Sequence, residues 1–420
     1  MESLSTRNFL ALISLGPSTR RLGAYPPSAR GKAGCYTAIQ PAAEWSAGHN
    51  GSRARQIVVI DVHCHVGLSS RRVDNRIARF SFESDGAAGT PGYDSYLSPR
   101  LFKRPAWFFV RRWLGIDPRL ERGDVLDSRI EAVNRLHWTE ATGADRLVLL
   151  AFDEYHDDAG SPIGSAQVGQ RRGSDLYASN SLVRAICASE PGRYLFGASI
   201  HPYRNWRGGD AAGLLEELAR AGAALIKWLP IHQNIRAEDP RTVAFLRRAA
   251  ELAMPMLIHY GGEMSLGRQH MEFAHPGPML EVLRRLRREG RMPTTIIAHV
   301  ATPSFIWQDD DGHRMLADAL LGEFADAPLF ADISALAAFG RTPWLRRLAR
   351  RPQLHRKLVW GSDYPIPVML RSFWREVDRK TRRTIASLPS WIERDLRLKR
   401  ALGFSDCVFT NAADLLRVDR

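Results

Sequence analysis

Eight short apolar runs, each followed by a polar loop and an amphipathic segment, constrain this 420-residue chain more than any other feature. They are IVVIDVH (57–63), RLVLLAF (146–152), YLFGASI (194–200), AALIKWL (223–229), PMLIHY (255–260), TTIIAHV (294–300), PLFADIS (328–334) and KLVWGSD (357–363). Runs that are nearly continuous in apolar character, rather than alternating, mark parallel strands covered on both faces. Helix signals fill the gaps between them. Ser128 to Glu131 has the pattern of a capping box, opening a helix that ends near Gly143. Asp210 caps a helix carrying Leu214, Leu215 and Leu218 that stops at Gly222, and Asp239-Pro240 is an N-cap followed by proline at the first helical position. The segment after His275 ends in the same way at Gly290. Strands alternating with helices imply a closed (β/α)8 barrel or a long doubly wound sheet. A doubly wound nucleotide fold places a glycine-rich phosphate turn after its first strand. Here His63-Cys64-His65 stands in that place, so the expected fold is α/β, a (β/α)8 TIM barrel.

Three segments depart from the repeat. Residues 1–55 are rich in Gly, Ser, Ala, Pro and Arg without sustained periodicity and are expected to be a disordered extension to the barrel domain, 56–420. Thr6 stands where a twin-arginine signal needs arginine, and Lys32 stands where a lipobox before Cys35 needs an aliphatic residue. A cytoplasmic location is therefore expected, with export or lipid anchoring as the alternative. Residues 66–126 are far longer than a barrel loop requires. This insertion carries Phe102, Trp107, Phe108, Phe109 and Trp113 and follows the first strand, so it is expected over the catalytic end as a lid. The competing reading is an outward patch for a dimer partner or a membrane surface, given Arg104, Arg111 and Arg112 beside the aromatics. After Asp363 comes a helical tail ending in FTNAADLLRV, with Asn411 as the expected cap of the last helix.

Composition excludes several classes. The formal net charge is +14, with seven Lys and Arg against two Glu in residues 1–56 and the remaining surplus read as thinly spread. No nucleic-acid motif accompanies it, so no nucleic-acid partner is expected. Four cysteines, Cys35, Cys64, Cys187 and Cys407, form no Cys-x-x-Cys pair, which argues against a disulfide framework and a cysteine zinc site. No apolar run reaches the roughly 18 residues a membrane-spanning helix needs, so no stable membrane insertion is expected. A small-molecule substrate is the expected partner, and a homodimer is open.

The active site of a barrel lies where its strands end. The first run ends in His63 and His65, the fourth in Lys227, the fifth in His259, the sixth in His299 and the eighth in Asp363. Ionisable residues at matching places on five otherwise apolar runs are hard to explain as packing. Asp61, His63 and His65 share a strand face by the two-residue period. Two imidazoles one pleat apart can reach a single cation, and imidazole is the commonest zinc ligand.

With these motifs, the stretch from about residue 57 to 415 resembles the amidohydrolase superfamily. Within it the resemblance is to the branch of decarboxylases, hydratases and lactone hydrolases related to aminocarboxymuconate-semialdehyde decarboxylase. The matching pieces are Asp-x-His-x-His in the first strand, the histidines of strands five and six, Gly-Ser-Asp-Tyr-Pro after the eighth strand and the closing Asn-Ala-Ala-Asp-Leu-Leu. The resemblance implies one divalent ion, zinc for preference, held by His63, His65, His259 and Asp363. It implies a water activated by that ion, with Asp363 as ligand or proton acceptor and His299 as acid/base or carbonyl polariser. Asp61 is read as a buried partner orienting the ligands. Lys227 occupies the place of a carboxylated lysine that bridges two ions in binuclear relatives; the one-metal reading, with Lys227 unmodified and available to a substrate carboxylate, is preferred. The reaction expected is hydrolysis of an amide, lactone or ester, with decarboxylation or hydration of a carboxylated substrate as the alternative, and a ligand-binding barrel without turnover as a third reading. Among weaker candidates, His201 either touches substrate or caps its strand, His156 is read as solvated, Trp228 as packing and Glu263 as a support for His259.

Overall fold

In the computed structural model all eight runs form strands of one parallel sheet, in chain order. The structure describes residues 57–66, 70–83, 92–102, 111, 123–164, 173–206, 209–263, 265–266 and 270–418. The strands are β1 (Ile60–His65), β2 (Arg146–Leu150), β3 (Tyr194–Ala198), β4 (Leu225–Trp228), β5 (Met256–His259), β6 (Thr295–Ala298), β7 (Leu329–Asp332) and β8 (Leu358–Val359). Closure comes from β1 bonding to the chain around and beyond β8. Val62 N donates to Trp360 O at 3.3 Å, Asp363 N to His63 O at 2.8 Å and His65 N to Tyr364 O at 3.0 Å. This seam brings His63 and Asp363, 300 residues apart in sequence, onto neighbouring backbone.

The barrel has two chemically distinct ends. Ile60, Val62, Val148, Leu150, Leu225, Leu257, Ile296, Ala298 and Val359 form an apolar inner cluster, joined by Leu195 and Phe330. The last helix closes that cluster at the strand N-termini through Ala412, Ala413 and Leu416, beside Val58 and Val418. The opposite end carries the polar strand-end residues. A second apolar layer lies between strands and the surrounding helices, and includes Phe245, Leu246, Leu283, Leu316 and Leu345.

The main described helices are α1 (Gly123–Thr139), α2 (Asn180–Ser189), α3 (Ala211–Arg220), α4 (Pro240–Glu251), α5 (Gly277–Arg288), α6 (Asp311–Leu321), α7 (Thr342–Ala349), α8 (Arg379–Ser387), α9 (Trp391–Ala401) and α10 (Asp406–Leu415). Asp210 and Asp239 cap α3 and α4 as expected, accepting from Gly213 N and Arg241 N. Two boundary readings are corrected. Helix α1 begins at Gly123, so Ser128 lies inside it and caps nothing. Asn411 lies inside α10, which starts at Asp406, and its Nδ2 donates to Leu358 O at 2.8 Å and Arg356 O at 3.2 Å. Asn411 therefore satisfies carbonyls of the short last strand rather than a helix end.

Part of the insertion is described, and it is anchored to the barrel. Ser95–Leu97 pairs antiparallel with Leu176–Ala178. The buried Glu83 carboxylate accepts from Asn180 N at 2.7 Å and Ser181 N at 2.9 Å, filling the N-terminus of α2. Trp107, Phe108, Phe109 and Trp113, with Arg104 and Arg112, lie outside the described residues, as do residues 1–55.

The tail is fastened to α1 through His137. Its Nδ1 accepts from Trp391 N at 3.0 Å, and its ring lies against Tyr364 and Trp391. Burial, aided by Arg394, lowers its pKa from 6.5 to about 4. The unfolded chain then binds a proton at higher pH than the folded one, so this contribution to stability is complete above pH 6.5 and declines as pH falls towards 4. A His137→Gln variant, whose amide oxygen can still accept from Trp391 N, should lose less stability than the wild type across that window. Urea melts of both proteins at a series of pH values measure the difference, and parallel pH dependence would remove His137 from the account.

Candidate metal centre and active site

The polar end of the barrel converges on a few atoms. His63 Nε2 lies 3.2 Å from His65 Nε2, and Asp363 Oδ1 lies 3.2 Å from the first and 3.1 Å from the second. His299 Nε2 stands 3.9 Å from Asp363 Oδ2, and its ring stacks on that of His63 with centroids 5.2 Å apart. Among the described residues, His63, His299 and Asp363 form a group whose ligand atoms all lie within 4.8 Å of one another. A bulge in β1 helps to place both β1 histidines here: four residues of β1, from Asp61 to Cys64, span three of β2, from Leu147 to Leu149.

Which ring nitrogens carry protons follows from what holds their other sides. His63 Nδ1 donates to Asp332 Oδ2 at 2.9 Å. His299 Nδ1 donates to Ser334 O at 3.0 Å. Each imidazole, once neutral, therefore presents a lone pair on Nε2 to the cluster. Burial lowers the pKa of His63 and His299 well below the ordinary range, with nearby Lys227 and Arg341 respectively as the next causes. Burial alone would raise the pKa of Asp363, but His63 and His65 outweigh it, so the carboxylate is held below its ordinary value. Neutral imidazoles facing an ionised carboxylate are a donor set without protons to share. Two ligand atoms bound at about 2.1 Å to one cation lie about 3.0 to 3.4 Å apart at right or tetrahedral angles. The spacings of 3.1 and 3.2 Å among His63, His65 and Asp363 fit that range.

Asp332 escaped the sequence reading, although it ends the seventh run just as the other acids and bases end theirs. Besides His63, it accepts at Oδ1 from His299 N at 2.8 Å, Ser334 N at 3.0 Å and Ser334 Oγ at 2.5 Å. The role expected of Asp61 is different in kind. Its Oδ1 accepts from His63 N at 3.0 Å and Ser362 N at 2.9 Å, so it ties the backbones of β1 and the Asp363 loop and touches no imidazole. Burial raises its pKa to about 7.

The site residues sit on strained or crowded backbone. His299, Val300 and Ala301 have φ of 55°, 49° and 50°, and Asp363 has 59°. Left-handed conformations in such residues cost about 1–2 kcal/mol each, and here Asp332 and the seam bond from Asp363 N hold them. Gly361 is needed beside His63, because a Cβ there would lie 2.8 Å from His63 Cβ. The Gly361 carbonyl accepts from Lys399 Nζ at 3.0 Å, and Lys399 is paired with Asp395 at 2.5 Å inside the tail. The tail thereby braces the loop that carries Asp363.

Two buried cations complete the end of the barrel. Lys227 ends β4 with its Nζ buried and no hydrogen-bond partner in the structure, and burial lowers its pKa to about 8. Arg341, also missed in the sequence, is buried after β7 and donates to Gly262 O. Its pKa is lowered by burial, against the pull of Glu263, Asp363 and Asp332.

The remaining candidates separate clearly. His259 lies edge-on to His299, with centroids 4.7 Å apart, and its Nε2 is 3.4 Å from Gly262 O and 3.9 Å from Glu263 Oε2. It adjoins the cluster without belonging to the three-residue group. His201 has both ring nitrogens committed to backbone, at Gln233 O and Tyr203 N, which is the capping role. His156 is buried, not solvated. Its loop folds inward so that the ring stacks on His201 at 4.2 Å and Nδ1 donates to Glu154 O. Trp228 is packing, against Phe245 and with Nε1 bonded to Ile200 O.

No family model matches the chain, and no curated protein matches it in sequence. Solved structures do match in fold. An uncharacterised TIM-barrel protein from Bordetella bronchiseptica aligns with a TM-score of 0.51 at 13% identity, over 86% of this chain and 98% of that one. A putative 2-pyrone-4,6-dicarboxylic acid hydrolase from Pseudomonas putida aligns at 0.46 and 14% identity, over 87% and 99% of the two chains. A 5-carboxyvanillate decarboxylase from Sphingomonas paucimobilis aligns at 0.42 and 12% identity, over 87% and 100%. The likeness to the Bordetella protein speaks to architecture alone, and with the eight-stranded parallel sheet it establishes that this chain has the TIM-barrel fold.

Proposed function

We propose that the protein is a metal-dependent hydrolase of the amidohydrolase superfamily, acting on an amide, lactone or ester bond of a small molecule. The observation that carries this is the convergence of His63 Nε2, His65 Nε2 and Asp363 Oδ1 at 3.1 to 3.2 Å, with the far nitrogen of His63 fixed by Asp332. In this reading His63, His65 and Asp363 hold one divalent cation, zinc for preference, and His259 is the fourth protein donor. A cation bound there supplies Lewis acidity and lowers the pKa of a water towards neutrality. Asp363, ionised and beside two imidazoles, accepts a proton at its free oxygen. His299 is held by Ser334 O and Asp332 so that its Nε2 lone pair faces Asp363 at 3.9 Å, from where it receives a proton and returns it to the leaving group.

Lys227 and Arg341 add two buried positive charges to this end of the barrel. A substrate carboxylate that pairs with Lys227 satisfies the buried amine that, among the described residues, has no hydrogen-bond partner. The same feature favours the second reading, decarboxylation or hydration of a carboxylated substrate with the same metal. Turnover on matched panels of lactones, amides and aromatic carboxylic acids separates the two by product.

The purified protein should bind about one divalent ion per chain and lose turnover with a chelator. His259→Ala should weaken metal retention by at least about tenfold, whereas His299→Ala should keep the metal and lose about 10²–10⁴ in kcat. Metal analysis beside kinetics on both variants is decisive: full occupancy and turnover in His259→Ala removes that ligand, and a stoichiometry near two restores a bridging Lys227.

Lys227→Met should be at least as thermostable as the wild type, because it removes an unpartnered buried cation at nearly constant volume. Its activity should fall sharply. A large drop in Tm would mean that Lys227 serves the fold rather than substrate.

A further inference from the structure

The positive charge of this protein is not evenly spread. Residues 341–383 hold thirteen Lys and Arg against three acids, so this stretch carries +10 of the chain's +14. All three acids are engaged. Asp363 lies in the strand-end cluster, Glu376 pairs with Arg346 at 2.9 Å and Arg350 at 3.7 Å, and Asp378 caps α8 by accepting from Thr381 N.

Arg341 and Lys357 of this stretch are buried, and the exposed basic side chains gather where α7 packs on the segment leading to α8. Arg346 of α7 donates to Ser372 O and lies over the Phe373 ring, so α7 and the segment leading to α8 are packed together. Phe373 is fully buried and pins that segment, which turns its neighbour Trp374 outward with 60% of its surface exposed. The Arg375 guanidinium sits over the Trp374 indole at 4.7 Å. Arg371, Arg379, Lys380 and Arg383 are exposed on the same segment and the first turns of α8. Among the described residues the other strongly exposed indole, Trp307, is followed by Asp309, Asp310 and Asp311 and is not part of this basic face.

We propose that this face, Arg371, Trp374, Arg375, Arg379, Lys380 and Arg383, docks the protein on an anionic phospholipid surface. An indole has an apolar body and a polar edge and settles at the headgroup level of a bilayer. Arginine and lysine beside it reach phosphate while their stems cover apolar surface. A single-stranded nucleic acid needs successive aromatic platforms at base spacing, and this stretch exposes one. A bilayer needs only one anchor surrounded by like charge. Docked this way, the protein meets lipid along the side of the barrel formed by α7, α8 and the segment between them.

The test uses the full chain with vesicles of phosphatidylcholine, alone or with a quarter of phosphatidylglycerol. The wild type should sediment with the anionic vesicles, stay in solution with the neutral ones, and be released by added salt as exposed charges are screened. The triple reversal Arg375→Glu, Arg379→Glu, Lys380→Glu should lower partitioning at least tenfold, and Trp374→Ala should lower it several-fold, with Tm and metal content unchanged in both. Equal binding by the triple variant would place the contact elsewhere on the chain and overturn the proposal. Absence of wild-type binding to anionic vesicles would overturn it too, and so would displacement from them by an oligonucleotide at equal charge concentration, which would make nucleic acid the partner.

Discussion

The carboxylate of Asp332 is the contact on which the polar end of the barrel depends. It fixes the outer nitrogen of His63 with one oxygen and gathers His299 N, Ser334 N and Ser334 Oγ with the other. Without it, His63 Nδ1 would keep only Ser334 Oγ, at 3.1 Å, and the left-handed turn that begins at His299 would lose its main restraint. The effect on function runs through that geometry. A carboxylate that orients an imidazole raises its basicity and sets which nitrogen offers a lone pair, and here that lone pair points at His65 and Asp363.

The division between the two ends of the barrel explains how the protein tolerates such a site. Ionisable groups packed together out of water are destabilising unless paired, and Lys227 Nζ, though near the Asp332, Asp363 and Glu263 carboxylates, has no hydrogen-bond partner. The cost is borne by an inner apolar cluster to which all eight strands contribute and which α10 closes from the other end. The tail has a second duty, because Lys399 and Asp395 hold Gly361 in place next to His63, and Asn411 occupies the carbonyls of β8. A two-residue last strand can then carry Asp363 to the seam beside His63 and His65.

Much of this was legible in the sequence because barrel strands are buried on both faces and read as uninterrupted apolar runs. All eight lie in strands of the sheet, and the polar residues His63, His65, His259, His299 and Asp363 that close four of them meet at one end of the barrel. What was not legible came from the third dimension. Asp332 looks like the end of one more core strand until the fold brings it under His63. Arg341 lies in an ordinary helix-start pattern, and its burial is set by loops from other strands. The acidic loop of His156 reads as solvated, yet it turns inward onto His201. Ser128 and Asn411 carry cap-type chemistry in helix interiors, where local patterns cannot register what the neighbouring strand needs. The basic face disappears when charge is averaged over everything beyond residue 56, because its surplus is concentrated in residues 341–383.

The most direct test of the account is anomalous diffraction from crystals soaked in zinc, with data on both sides of its absorption edge. The account predicts one strong peak within about 2.0–2.2 Å of His63 Nε2, His65 Nε2 and Asp363 Oδ1, with His63 Nδ1 still bonded to Asp332. A peak at another cluster, or none with the three groups hydrogen-bonded to one another through water, would contradict it.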